Sequence, residues 1–379
     1  MQMKRVIVLY GGKADEHSIS CISAANVMKS LDNTLFEIVP IGITKQGLWL
    51  YNALDPRTVD FAKTPLPVVE KTESSQAVVI NMAQGADGFY VQSNENQSLI
   101  NLGHIDVVLP VLHGAYGEDG TVQGMIEMLG IPYIGTQVLT SAVCIDKHFT
   151  KEILKQAGIA VVPSITIDVR RELKDNSLSS MGEKYLQQVK QAGLQYPLFV
   201  KPSRAGSSFG VTKVEYENSQ ELISAISEAS HHDWRILIEH GVDAREIECA
   251  VFSPNPLGEP QASLPGEIVL DLKQQGEDQF YDFDSKYLDA ESSHVEVPAD
   301  VNQDVLDRVQ DIAIRAFKAV DATGLSRVDC FVENNGNIMV NEINTMPGFT
   351  STSLYPIAWN KMGVNTTELL TQLINGVIQ

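Results

Sequence analysis

"SRVDCFVENNGNIMVNEINTMPGFTSTS", from Ser326 to Ser353, is two β-rich runs around Asn335-Gly336, then a Pro347-Gly348 turn and four hydroxyls. Asn-Gly between such runs is the strongest short hairpin signal, because a type I′ turn needs positive φ at both central positions. With those two residues as the loop, Asn334 pairs with Asn337, Asp329 lies opposite Glu342, and Arg327 lies opposite Asn344. Side chains alternate along a strand, so these four share a face. Opposed Cβ atoms sit about 4.5–5.5 Å apart, and two like charges there destabilise the pair. Two carboxylates so placed need a cation, and with a carboxamide they form an oxygen ligand set that suits Mg²⁺. Arg327 on the same face favours an anion nearby. The alternative is a solvated face on which Asp329 and Glu342 point to water; a one-residue slip of register would undo the site.

The composition of the rest of the chain is that of a soluble globular protein. Its 379 residues are enough for two or three domains. It is 44% apolar, yet no apolar run approaches the ~18 residues of a membrane span. "MQMKR" followed by a short apolar run is a poor signal peptide, and a cytoplasmic protein is expected. Cys21, Cys144, Cys249 and Cys330 show no C-x-x-C spacing, which fits reduced, buried thiols. A formal charge of −20 argues against nucleic acid and anionic membrane as partners. A phosphate site would therefore need locally concentrated lysines.

The first third alternates strand and helix patterns, as in "KRVIVLY", "HSISCISAANVMKSL", "FEIVPIGI" and "IDVVLPVL", which predicts a parallel sheet covered by helices. "IPYIG" reads as a short strand, and residues 55–100 as an exposed insertion with strand-like pieces. One helical stretch, "VLTSAVCIDKHFTKEILKQAG", leads into "YPLFVKP", "GVTKVEY", "WRILIEH" and "REIECAVF", all strands. The closing helix "NTTELLTQLINGVI" carries Asn365 and Glu368 as a capping box.

"YPLFVKPSRAGSSFGVTKVEY" places Lys201 at a strand end before a Gly/Ser loop. It is neither a Walker A loop nor a nucleophile elbow. A flexible loop of this kind can fold over phosphate oxygens through backbone N–H groups, with Lys201 adding charge. An ordinary glycine-rich hairpin is the competing reading.

Taken together, "YGGKADEHSIS", "LPVLHGAYGEDGTVQG", "IDKHFTK", "FVKPSRAGSSFGV", "REIECAV", "FYDFDSKYLD" and "RVDCFVENNGNIMVNEINTMPGFTSTSLYP" resemble the ATP-grasp superfamily, and specifically its D-alanine–D-alanine ligases. The stretches occur in family order and cover the chain nearly end to end. The resemblance implies an α/β, ATP-grasp fold of three domains: an N-terminal parallel-sheet domain (1–142), a central domain with the phosphate loop (143–241), and a C-terminal domain with lid and metal site (242–379). It implies ATP as a substrate, two Mg²⁺ or Mn²⁺ ions, and D-alanine as the amino acid. A homodimer is a further family expectation.

By the same resemblance, Asp329, Glu342 and Asn344 hold the metal ions, and Lys147, Lys201 and Lys286 contact phosphates. Ser208 belongs with the nucleotide-binding residues, Glu239 lies near adenine, and Glu246 near the ribose. Arg327 and the Gly348 N–H stabilise an oxyanion, a role suited to a fixed guanidinium and to a residue without a side chain. Glu16 holds the first D-alanine's ammonium and links to Ser207 and Tyr287. Ser353 and the Leu354 N–H bind the second carboxylate, and His113 lies near the acceptor. Taken singly, each lysine would be an ordinary surface charge, His113 a structural histidine, and Glu16 a first-turn carboxylate favourable to the helix dipole.

Lys286 and Tyr287 fall in "QQGEDQFYDFDSKYLD", a segment expected to form a lid that excludes water from an acyl phosphate. Tyr287 points to a dipeptide product, since relatives that make D-alanyl-D-lactate tend to differ here. Ala205 and His240 depart from common family residues without removing a ligand. Two alternatives stay open: a D-alanine–D-lactate ligase, and a catalytically silent nucleotide-binding regulator.

Overall fold

The computed structural model describes residues 3–59, 66–206, 208–255, 257–270 and 293–378. Ser207, Lys286, Tyr287 and the expected lid lie outside these residues.

Three sheets organise the chain. The first has seven strands: β1 (Lys4–Gly11), β2 (Phe36–Ile43), β3 (Trp49–Tyr51), β4 (Gln76–Ile80), β5 (Phe89–Gln92), β6 (Leu99–Asn101) and β7 (Val107–Pro110). Their order is β6-β5-β4-β3-β2-β1-β7. Only β2-β1-β7 is parallel, as the βαβ pattern requires; β3 to β6 extend the same sheet antiparallel. Part of the expected insertion is therefore sheet. "IPYIG" does not form a strand; it makes one isolated bridge, Val108 to Tyr133.

The second sheet, β8 (Ser164–Asp168), β9 (Leu198–Pro202), β10 (Thr212–Val214) and β11 (Arg235–His240), has the order β10-β9-β11-β8. The third is built from β12 (Ala244–Phe252), β13 (Gln261–Ala262), β14 (Gly266–Leu270), β15 (Ser293–Glu296), β16 (Leu325–Glu333) and β17 (Ile338–Asn344). Its path is β15-β14-β12-β16-β17, with β13 on β12.

The helix Gln303–Ala319 buries Leu306, Val309, Ala313, Ala316 and Phe317, a stripe of one helical face. The stretch expected as one helix is two, Val138–Ile145 and Lys147–Gln156. Asp146 breaks it: its backbone is extended, and its carboxylate accepts the His148 N–H at 3.2 Å, so it ends one helix and caps the next. At the last helix, Asn365 accepts from the Glu368 N–H at 2.9 Å, which is half of the expected capping box.

The cores show how the sheets are coupled. Val6, Val8 and Tyr10 of the first sheet share a core with Phe349, Tyr355, Trp359 and Leu369 near the C-terminus. Each large side chain buried there contributes about 1.5–3 kcal/mol, so the two ends of the chain are firmly joined. The second sheet has its own core, with Val200, Ile236 and Ile238 packed on Tyr185 and Leu222. All four cysteines are buried and unbridged.

Candidate functional site

The β16–β17 hairpin pairs Arg327 with Asn344 and Asp329 with Glu342, the register the sequence predicts. Its turn is different. Glu333 pairs with Asn337 around a three-residue loop, in which Gly336 alone takes positive φ, +82°. A type I turn followed by a left-handed glycine explains this better than a type I′ turn. The slip of one at the turn is undone by a β-bulge between Asp329 and Cys330, where Asn341 is the extra residue.

A third strand extends the row. Glu248 of β12 lies opposite Asp329, so three carboxylates (Glu248, Asp329 and Glu342) stand side by side across three strands. Arg327 donates from Nε and a terminal nitrogen to Asp329 at 2.7 and 2.6 Å, and Nε is 3.1 Å from Glu248. Asn344 donates to Asp329 at 2.8 Å, and Lys147 Nζ is 3.2 Å from Glu342. Burial pushes Asp329 up to about 6 against the pull of Arg327, with Glu342 and Glu246 raising it further. Asn341 donates to Glu246 at 3.2 Å, so the bulge residue positions that carboxylate.

These donors fit a divalent cation: among the described residues the carboxylates outnumber the cations along the row, and one of them already resists ionisation. Among the described residues no three His, Cys, Asp or Glu side chains converge on one metal point. The set would instead be completed by the Asn344 oxygen and by ligand oxygens, which is how Mg²⁺ is usually held.

At the other end, Glu239 on β11 takes Lys201 of β9 at 2.5 Å and Lys151 at 2.7 Å. Burial pushes Glu239 up, but the two lysines outweigh it and hold the carboxyl below its usual range. Lys147 begins the helix that carries Lys151 one turn later, and it donates to the Ala205 carbonyl at 2.8 Å. Lys147 thus links the Gly/Ser loop after β9 to the carboxylate row.

The first sheet supplies a third wall. Glu16 precedes the helix His17–Ser30 but does not cap it; it sits against two glycines instead. A Cβ at Gly114 would lie 2.4 Å from its Oε2, and one at Gly206 would lie 3.2 Å from Oε1. A side chain at Gly114, whose φ is +69°, would push that carboxylate aside as well as strain the backbone.

The Pro347-Gly348 turn is gripped from that wall. The Phe349 N–H donates to Ser23 Oγ at 3.2 Å, the Ser23 hydroxyl meets His113 Nε2 at 3.0 Å, and His113 Nδ1 meets the Met346 carbonyl at 3.0 Å. A neutral imidazole with its proton on Nδ1 satisfies this whole chain. Burial pushes His113 down to about 4, consistent with that form. Glu118 accepts from the Gly114 N–H at 2.7 Å and the Met346 N–H at 3.1 Å. Burial raises it to about 7, and Glu16 and Glu342 add to the shift. Ser353 Oγ accepts from the Thr350 N–H at 3.1 Å and lies 2.8 Å from the Thr350 hydroxyl, so the hydroxyl run forms a local network.

One cleft therefore gathers Glu16, His113, Lys147, Arg327, Glu342, Asn344 and Gly348 from remote parts of the chain. Leu354 opens the helix Leu354–Lys361 directly after Ser353. Ser208 stands in the Gly/Ser loop with φ +62°. Sequence reasoning missed Glu248, Glu118, Ser23, Asn341 and Lys151. Glu248 could have been found by pairing "REIECAV" with "RVDCFVE", and Lys151 by its i,i+4 spacing from Lys147. Ser23 gives no local signal.

Models of the two halves of one family match the chain: D-ala D-ala ligase N-terminus over residues 5–136 and D-ala D-ala ligase C-terminus over residues 153–375. The chain belongs to the D-alanine–D-alanine ligase family. It is 57% identical over 380 residues to the D-alanine–D-alanine ligase of Bifidobacterium adolescentis, and 56% identical over 379 residues to that of Bifidobacterium animalis subsp. lactis, covering 100% of each protein in both cases. Among solved structures it is similar to the D-alanine–D-alanine ligase from Coxiella burnetii (34% identity, 100% of this chain and 94% of that one, TM-score 0.79). It is also similar to the VanG D-Ala:D-Ser ligase from Enterococcus faecalis (33% identity, 99% of each chain, TM-score 0.79). The protein is an ATP-dependent ligase that joins D-alanine to D-alanine. Neither the D-lactate ligase nor the silent regulator is favoured. Among the described residues no helix is long and apolar enough to cross a membrane.

Proposed function

We propose that the ligation runs through an acyl phosphate and that the cleft residues divide the work. A carboxylate oxygen of the first D-alanine attacks the γ-phosphorus of ATP, and ADP leaves. The amine of the second attacks the acyl carbon, and phosphate leaves from a tetrahedral intermediate. Positioning and charge neutralisation serve this chemistry better than a protein nucleophile.

Lys147, Lys201 and Lys286 hold phosphate oxygens, with Ser208 and the loop backbone beside them. Glu239 and Glu246 take the adenine and ribose. Glu16, with Ser207 and Tyr287, fixes the first ammonium; Ser353 and the Leu354 N–H take the second carboxylate. Arg327 and the Gly348 N–H stabilise the developing oxyanion. His113 keeps that N–H in place through Met346 and Ser23, so its part is to position the turn. Two Mg²⁺ or Mn²⁺ ions, held by Asp329, Glu342 and Asn344, supply charge neutralisation for the phosphates.

The observation that carries this reading is one cleft that brings Lys147 and Arg327 together with Glu342 and Asn344, Glu342 being the end member of the three-carboxylate row. The domain divisions near 142 and 241, a homodimer, a cytoplasmic location and a role in peptidoglycan synthesis belong to the same proposal.

The test is phosphate release from ATP and Mg²⁺ with D-alanine, L-alanine, or D-alanine plus D-lactate, with products identified by mass. Dipeptide matching phosphate with D-alanine, and neither with L-alanine, is expected. A depsipeptide as main product at neutral pH would overturn the assignment.

A further inference from the structure

Glu239 is 3% exposed and is shared by two lysines of different character. The Lys201 side chain, 12% exposed, stands at a strand end beside the phosphate loop and can follow a ligand. The Lys151 side chain, 2% exposed, is enclosed in the helix Lys147–Gln156, and among the described residues its ion pair is with Glu239. We propose that Lys151 is the fixed counter-ion of Glu239, keeping it an aimed carboxylate when Lys201 leaves for the phosphates of ATP. Lys151 thereby acts as a positioning residue for recognition of the adenine 6-amino group. The inference rests on the reading that Glu239 faces adenine.

The physical need is simple. A buried carboxylate deprived of its cation is driven to take a proton. A neutral acid both donates and accepts, so it tolerates a 6-oxo purine; an ionised carboxylate only accepts, so it selects an amine and repels a carbonyl oxygen. With one lysine, phosphate binding would weaken base recognition in the same step. With two, the mobile cation is free to move while the fixed one keeps Glu239 ionised.

The charged groups facing Glu239 support this division. The helix presents Lys151, with Lys155 a turn further on and paired to Glu152 at 2.8 Å. On β9 it is Lys201; Phe199 is the register partner there, and Ser164 on β8, neither of them ionisable.

The experiment measures kcat and KM for ATP and GTP from pH 6 to 9 in the wild type, Lys151→Met, Glu239→Gln and the double variant, with thermal unfolding of each. Lys151→Met is expected to raise KM for ATP about tenfold near pH 6 and less at pH 9, to narrow the ATP/GTP preference, and to change kcat far less. The double variant, with no buried charge left at the pair, should fold and show a KM without that pH dependence. A Lys151→Met enzyme with wild-type KM and ATP/GTP preference across the range would overturn the inference. So would a pH-independent loss in kcat accompanied by lowered stability, which marks a purely structural role. If Glu239→Gln leaves KM for ATP and the preference unchanged, the adenine reading itself fails, and the inference with it.

Discussion

Two clusters of charge, on either side of Lys147, are weighted in opposite senses. On the β12–β16–β17 side, Glu248, Asp329 and Glu342 outnumber Arg327 and Lys147. On the β9–β11 side, Lys151 and Lys201 outnumber Glu239. They also differ in how they are held. The carboxylates all stand on adjacent paired strands, whereas Glu239 is met by one enclosed lysine, Lys151, and one at a strand end, Lys201.

The largest effect is expected from Arg327→Ala. It removes the proposed oxyanion donor and leaves Asp329 beside Glu248 without its guanidinium, so kcat is expected to fall by about 10²–10³. Single-turnover kinetics check it, and an unchanged kcat would dissolve the distinction between the two clusters. Asp329→Asn comes next. It should raise the Mg²⁺ concentration for half-maximal activity by about tenfold, consistent with the loss of an oxygen ligand's charge; Mg²⁺ titration at saturating ATP reads it.

Glu118→Gln sharpens the comparison from the third wall. The carboxyl is raised to about 7 in the folded protein, so the stability of its protonated form is present below the ordinary carboxylate range and lost as pH rises through 7. The glutamine variant escapes that loss but offers one oxygen to two N–H donors. It should therefore be less stable than wild type at pH 4, with the gap narrowing by pH 8 in denaturant titrations. A constant gap would contradict this. The smallest effect is at the hairpin turn: Gly336→Ala, at φ +82°, should cost about 1 kcal/mol of stability and leave kcat unchanged.

The hairpin shows how much was legible. The alternation of Arg327, Asp329, Glu342 and Asn344 was readable because a strand's period is fixed. The turn was misread by one residue, and Asn341's bulge shifted the ladder back by one. The predicted register near the cleft was thus right with two offsetting errors inside it. The parallel β2-β1-β7 core followed from βαβ alternation, while β3 to β6 are short or partly exposed and carried weak signals. The grip on Gly348 was not legible. Ser23, Asn26, His113 and Glu118 reach the Met346–Phe349 segment across more than 200 residues, and no local pattern encodes such contacts. Glu16 illustrates the same limit: its position suggested a helix-dipole role, and the glycines it faces come from elsewhere in the chain.

The proposed assignment makes Asp329, Glu342 and Asn344 take divalent cations in concert with a bound nucleotide polyphosphate. Mn²⁺ binding followed by electron paramagnetic resonance, with and without ADP, in wild type and Glu342→Gln, tests it most directly. The account expects wild-type protein to bind two Mn²⁺ tightly when the nucleotide is present, and Glu342→Gln to lose at least one of them. Undiminished binding of both ions by Glu342→Gln would contradict it.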